Sequence, residues 1–98
     1  MKIDSNKNAE TLIVNVEGRL DTTTAPELEN FLNANLQGVK ELAIDCAKLE
    51  YVSSAGLRVL LSTQKKMQKI GSMKVKNVCE EVMEVFEITG FADILVIE

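Results

Sequence analysis

A chain of 98 residues that is 46% hydrophobic and 27% charged has the length and balance of one folded domain, not of a disordered segment. A net charge of −4 argues against nucleic acid, which calls for clustered Lys and Arg; the small basic cluster Lys65, Lys66 and Lys69 reads as the solvated face of a helix. The absence of histidine removes Ser-His-Asp and Cys-His catalysis and the common zinc sites, so no metal or cofactor is expected.

Taken in chain order, "MKIDSN" pairs as a hairpin with residues 11–17, "TLIVNVE", across a turn at Lys7-Asn8. Leu12, Val14 and Val16 alternate onto one side of the second strand, and Ile13 strengthens it. In "GRLDTTTAPELENFLNANLQG" the period changes to helical: Thr24 and Glu27 have capping-box spacing, Pro26 suits a first turn and Gly38 a stop. Leu28, Leu32 and Leu36 form its apolar stripe, widened by Phe31.

"VKELAIDC" reads as a buried strand, and Ala55 to Ile70 as a helix ended by Gly71, with Leu57, Leu60, Leu61, Gln64 and Met67 on one side. "SMKVKNV" alternates again, Met73, Val75 and Asn77 against Lys74, Lys76 and Val78. "CEEVMEVFEITG" is a short helix with Val82, Val85 and Phe86 inward and Gly90 closing it, and "ADILVIE" is a last strand. The order β, β, α, β, α, β, α, β predicts an α/β fold with a mainly parallel sheet and right-handed crossovers. Cys46 and Cys79 are too few and too far apart for a metal knuckle or a CxxC pair and read as free thiols. The start lacks the apolar core of a signal peptide, and no run approaches the ~20 apolar residues of a membrane span, so a cytoplasmic monomer is expected.

Function is sought where strands hand over to helices, at the carboxyl ends of the strands. There "YVSSAGL" sets Ser53 and Ser54 just ahead of the helix that begins near Ala55. One serine can cap that helix, which leaves the other over. Gly56 inside the first turn costs about 1 kcal/mol against Ala, so close approach by another chain or group would be one reason for it. A hydroxyl at a helix start also suits a phosphate, which the helix dipole favours by roughly 0.3–1 kcal/mol. The modification adds about −1.5 to −2 charges without unfolding the domain. That is the physics of a switch, with one fold in two states and a partner bound in only one. An acyl-transfer nucleophile at Ser54 lacks a base at a known spacing such as SxxK, and no glycine-rich phosphate cradle follows any strand.

The run "YVSSAGLRVLL" resembles the signature of STAS-domain anti-sigma factor antagonists, "EGRLDTTTAPEL" their first conserved block, and "NVCEEVMEVFEITGF" their last helix. The resemblance spans nearly the whole chain and implies a single STAS domain over residues 1–98. It implies a non-enzymatic partner-switching protein, whose partners are an anti-sigma factor serine kinase and a metal-dependent serine phosphatase acting on the phosphorylated form. Aligned on Gly56-Leu57, the family's phosphoacceptor falls on Ser54. Ser53 stands where several members carry Asp and is the alternative acceptor. By the same resemblance Asp21 and Thr22 lie beside the loop and share a partner-facing surface with Ser53, Ser54, Ala55, Gly56, Leu57 and Arg58. Asp21 is as readily a turn or cap residue, Leu57 a core residue, and Arg58 a solvated one. Cys79 stands where relatives often have a capping Ser. Glu80, Glu81, Glu84 and Glu87 read as a wet helix face able to steer a basic partner. A STAS subunit of a larger assembly, such as a lipid-transport ABC system or a stressosome, is the competing expectation.

Overall fold

Alternation at Leu12, Val14 and Val16 does make a strand with one buried face. In the computed structural model, which describes residues 1–98, β1 (Lys2–Asn8) and β2 (Thr11–Leu20) pair antiparallel, and those three side chains enter the core while Ile13, Asn15 and Glu17 stay outside. The reversal falls at Ala9-Glu10 and not across Lys7-Asn8, since Lys7 pairs with Leu12 and Asn8 with Thr11. Ala9 takes the positive φ of 55° that a short hairpin turn requires.

Helix α1 (Ala25–Asn35) follows, with Pro26 in its first turn and Leu28 and Leu32 fully buried. The expected capping box does not form: no side chain caps this helix. The Thr24 hydroxyl instead donates to the Arg19 carbonyl at 2.7 Å and accepts from the Asp21 N–H at 2.8 Å.

The next strand is longer than its alternation suggests. β3 (Glu41–Val52) begins as expected but runs past Cys46, because two register shifts against β2 place extra residues in it. Its inward residues are Leu42, Ile44 and Cys46, then Leu49, then Val52, so the spacing changes from two to three. A bulge of this kind switches which side chains face the core, and a period-2 reading ends where it begins. Asp45 steadies the first shift by accepting from the Ala47 N–H at 2.9 Å.

Helix α2 (Ser54–Ile70) crosses over to β4 (Ser72–Lys76), and α3 (Glu80–Thr89) ends at Gly90, whose φ of 82° is the left-handed cap glycine favours. The sheet order is β1-β2-β3-β4, with β2, β3 and β4 parallel. Inward strand residues and the buried helix stripes form one core of 23 residues. The expected last strand is absent. Phe91–Asp93 form a 3-10 turn, and the tail's backbone pairs with β4 through a single bridge, Val75–Ile97, held by Val75 N–H to Val96 O at 2.8 Å and Glu98 N–H to Val75 O at 2.9 Å and flanked by a Lys74–Glu98 ion pair at 3.0 Å. Leu95 alone of this apolar run is buried, while Ile94 and Val96 remain outside.

One core position is unfavourable. Gln64 lies on the inner side of α2 at 5% exposure, and its Oε1 has no hydrogen-bond partner, whereas neighbouring Thr63 donates to the Val59 carbonyl at 2.7 Å. A buried amide oxygen left unpaired loses its hydration without return. Gln64→Met keeps the shape and removes that oxygen, and should raise unfolding stability by about 1 kcal/mol in urea titration; equal or lower stability would show that the amide is satisfied after all.

Candidate functional site

The site is assembled by parallel pairing. Leu20, the last residue of β2, lies opposite Val52, the last of β3. The chain then turns into α2 through Ser53, whose N–H donates to the Leu20 carbonyl at 2.8 Å. Ser53 is extended and is the N-cap: its Oγ accepts from the Gly56 N–H at 3.4 Å, and its carbonyl receives the Leu57 N–H at 2.9 Å. Ser54 is therefore the first helical residue, one position earlier than the sequence suggests, and its side chain is exposed. The two adjacent hydroxyls have different situations, one engaged with the helix and one facing water.

Gly56 is needed for a reason internal to the chain. A Cβ there would stand 2.6 Å from Leu20 Cγ and 3.0 Å from the Leu20 carbonyl oxygen. The first turn of α2 thus rests on the end of β2, and the close approach expected at this glycine is made by the protein's own strand. Leu57 is 5% exposed and belongs to the core, Ala55 is half-buried, and Arg58 is exposed.

Asp21 follows Leu20 directly, so the loop between β2 and α1 borders the start of α2. Its Oδ1 accepts from the Thr23 N–H at 3.0 Å, the Thr23 hydroxyl at 2.7 Å and the Thr24 N–H at 3.2 Å. The Thr23 hydroxyl bond, aided by the Thr24 and Thr23 N–H bonds against a smaller opposing effect of burial, holds the Asp21 carboxyl below its ordinary 3.8. Asp21 is thus an organiser of its own loop, while Thr22 at the tip is exposed.

Two residues that sequence reasoning left without a role complete this surface. The Arg19 guanidinium lies 4.2 Å from the centre of the Tyr51 ring, and its Nε is 3.9 Å from Asp21 Oδ2. Arg19 and Tyr51 are partners only because the bulges bring Tyr51 opposite Arg19. Alternation alone gives no signal for that pairing. Arg and Tyr are residue types enriched at binding surfaces, and Tyr51 is 39% exposed.

With this geometry in place the chain can be compared with known proteins. The STAS domain family matches residues 2–98. Over 96 residues the chain is 33% identical to the anti-sigma-B factor antagonist of Bacillus subtilis, covering 97% of this chain and 88% of that protein. This chain belongs to the STAS-domain anti-sigma factor antagonist family. The crystal structure of an anti-sigma factor antagonist from Mycobacterium paratuberculosis has a TM-score of 0.88 to it at 25% identity, over 98% of this chain and 83% of that one. Bacillus SpoIIAA in its phosphorylated form shares the fold, with a TM-score of 0.76 at 15% identity over 99% of this chain and 91% of that one.

The cysteines of this STAS domain are no part of the rim just described. Cys46 is buried, and burial first, then the charge of Asp45 and the neighbouring Cys79, push its thiol up to about 12, so it stays protonated and unreactive. Cys79 is the N-cap of α3 but makes no cap bond there, its Sγ lying 3.5 Å from the Leu49 carbonyl.

Two measurements check the site. Gly56→Ala should destabilise the domain by about 1–3 kcal/mol, since Leu20 must shift to admit the methyl; an unchanged denaturation midpoint would show that the contact has slack. Because the folded pKa of Asp21 is depressed, its ordering of the loop is complete above 3.8 and is lost as pH falls through the lower folded value. The Thr23 and Thr24 amide resonances should therefore titrate together with a midpoint below 3.8, and should lose that titration in Asp21→Asn.

Proposed function

We propose that this protein is an anti-sigma factor antagonist that works by phosphorylation-controlled partner switching, with Ser54 as the acceptor. Unmodified, it binds an anti-sigma factor that is also an ATP-dependent serine kinase and so frees the sigma factor. The kinase transfers the γ-phosphoryl group of ATP to Ser54 Oγ, the bond to the ADP oxygen breaking as the serine proton leaves. A metal-dependent serine phosphatase reverses the modification by hydrolysis. The protein is not an enzyme in this scheme. It acts in the cytoplasm, in keeping with a transcriptional output; no helix is long and apolar enough to cross a membrane.

The observation that carries the reading is the division of labour between the serines. Ser53 caps α2 and is half-buried, whereas Ser54 begins the helix with its hydroxyl in solvent, so a kinase can reach the second without opening the cap. The partner surface is the rim around it: Asp21, Thr22, Ser53, Ala55 and Arg58, with Gly56 and Leu57 supporting from beneath. Relatives named for anti-sigma-B antagonism support the partner class, and the existence of a structure of SpoIIAA, a protein of the same fold, in a phosphorylated form supports the modification. Burying the added charge without compensation costs roughly 3–5 kcal/mol, which corresponds to about a hundred- to several-thousandfold in affinity.

Ser54→Ala should bind the anti-sigma partner captured from the organism's own lysate as wild type does, and should take up no phosphate from ATP. Ser54→Asp should bind it at least about tenfold more weakly. Phosphate located by mass spectrometry on Ser53 or elsewhere, or tight binding by the Asp variant, would overturn the assignment.

A further inference from the structure

Helix α2 carries Arg58, Lys65, Lys66 and Lys69 and no acidic residue, in a protein whose net charge is −4. Arg58, Leu61, Ser62, Lys65, Lys66 and Lys69 line a shallow groove of about 320 Å³ on its outer side. Ser54 and Arg58 stand four apart on this helix, both exposed, so they are neighbours on one face, with Cβ atoms about 5–6 Å apart. The other cations near the rim are committed or distant. Arg19 is held by the Tyr51 ring and Asp21, and Lys66 Nζ donates to Asn33 Oδ1 at 2.8 Å. Lys65 lies roughly 16 Å along the axis from Ser54. Arg58 enters no ion pair; those present are Arg19–Asp21 and Lys74–Glu98.

We infer that Arg58 is the in-cis partner of a phosphate on Ser54: its guanidinium is free in the unmodified protein and captured by the phosphate oxygens in the modified one. The inference rests on Ser54 being the acceptor and assigns a second component to the switch. A guanidinium presents paired donors that match two phosphate oxygens, which an ammonium does not. Phosphorylation then changes the rim twice over. It adds a dianion where a partner would meet a hydroxyl, and it withdraws the nearest uncommitted cation from that partner. The captured pair also tightens the first turn of α2 instead of fraying it, so the modified protein is held in one arrangement that the partner does not fit.

Phosphoserine placed at position 54 during translation tests this without any kinase, so the result stands apart from whether Ser54 is the acceptor in the cell. The readout is the second ionisation of the phosphate, followed by its phosphorus resonance. In the otherwise unaltered protein it should fall below the ordinary value of about 6. Arg58→Gln should raise it by about half a unit, roughly a threefold change in the protonation constant, while Arg58→Lys should recover part of that difference. The difference between the wild-type and Gln titrations should shrink as salt is raised. Matching titrations in the wild-type and Gln proteins would overturn the pairing, as would a shift that the Gln variant retains in full. A normal Arg58 effect together with no phosphate on Ser54 in cells would leave the pairing standing and remove the proposed function.

Discussion

The contact between Leu20 and Gly56 is the constraint on which the rim depends. Leu20 is 1% exposed at the end of β2, and its side chain and carbonyl occupy the space a Cβ at position 56 would need. The same carbonyl accepts the Ser53 N–H at 2.8 Å, so the strand end is joined to the helix start by both packing and a hydrogen bond. Because Asp21 follows Leu20 and Ser54 precedes Gly56 closely, the loop into α1 and the start of α2 are held as one surface. A larger residue at position 56 would push these apart before it disrupted the rest of the core.

Within that surface the polar groups divide into those that build and those that remain available. Ser53 caps α2, Asp21 gathers the Thr23 and Thr24 donors, and Thr24 ties back to the Arg19 carbonyl. Ser54, Thr22 and Arg58 are exposed. Fixing the scaffold with some groups lets the others meet a partner without first being ordered, which reduces the entropic cost of binding. It also lets a covalent change at Ser54 alter recognition while leaving the bonds that define the loop in place.

The elements whose evidence is local were legible from the residues. Leu28 and Leu32 on α1, Leu60 and Met67 on α2, and Met73 and Val75 on β4 all lie in the core as their periodicity implies. Errors came where the pattern is set by something distant. β3 runs on to Val52 because bulges against β2 change its inward spacing, and Thr24, though it is the N-cap of α1, uses its hydroxyl to accept from the Asp21 N–H and to donate to the Arg19 carbonyl in place of a first-turn cap bond. The tail from Ala92 onward has strand-like composition yet forms a turn and a single bridge to β4, a pairing that its own alternation does not specify.

From the residues alone came the class of fold, the place of the serine pair at a strand-to-helix junction, and the exclusion of histidine chemistry. These follow from composition and from spacings of two to four, which short stretches of chain carry by themselves. Which serine caps and which faces water, what Gly56 makes room for, and the pairing of Arg19 with Tyr51 were decided only by the folded molecule. The last two depend on the register between β2 and β3, and two shifts in that register move every later residue to a neighbour that no local pattern specifies.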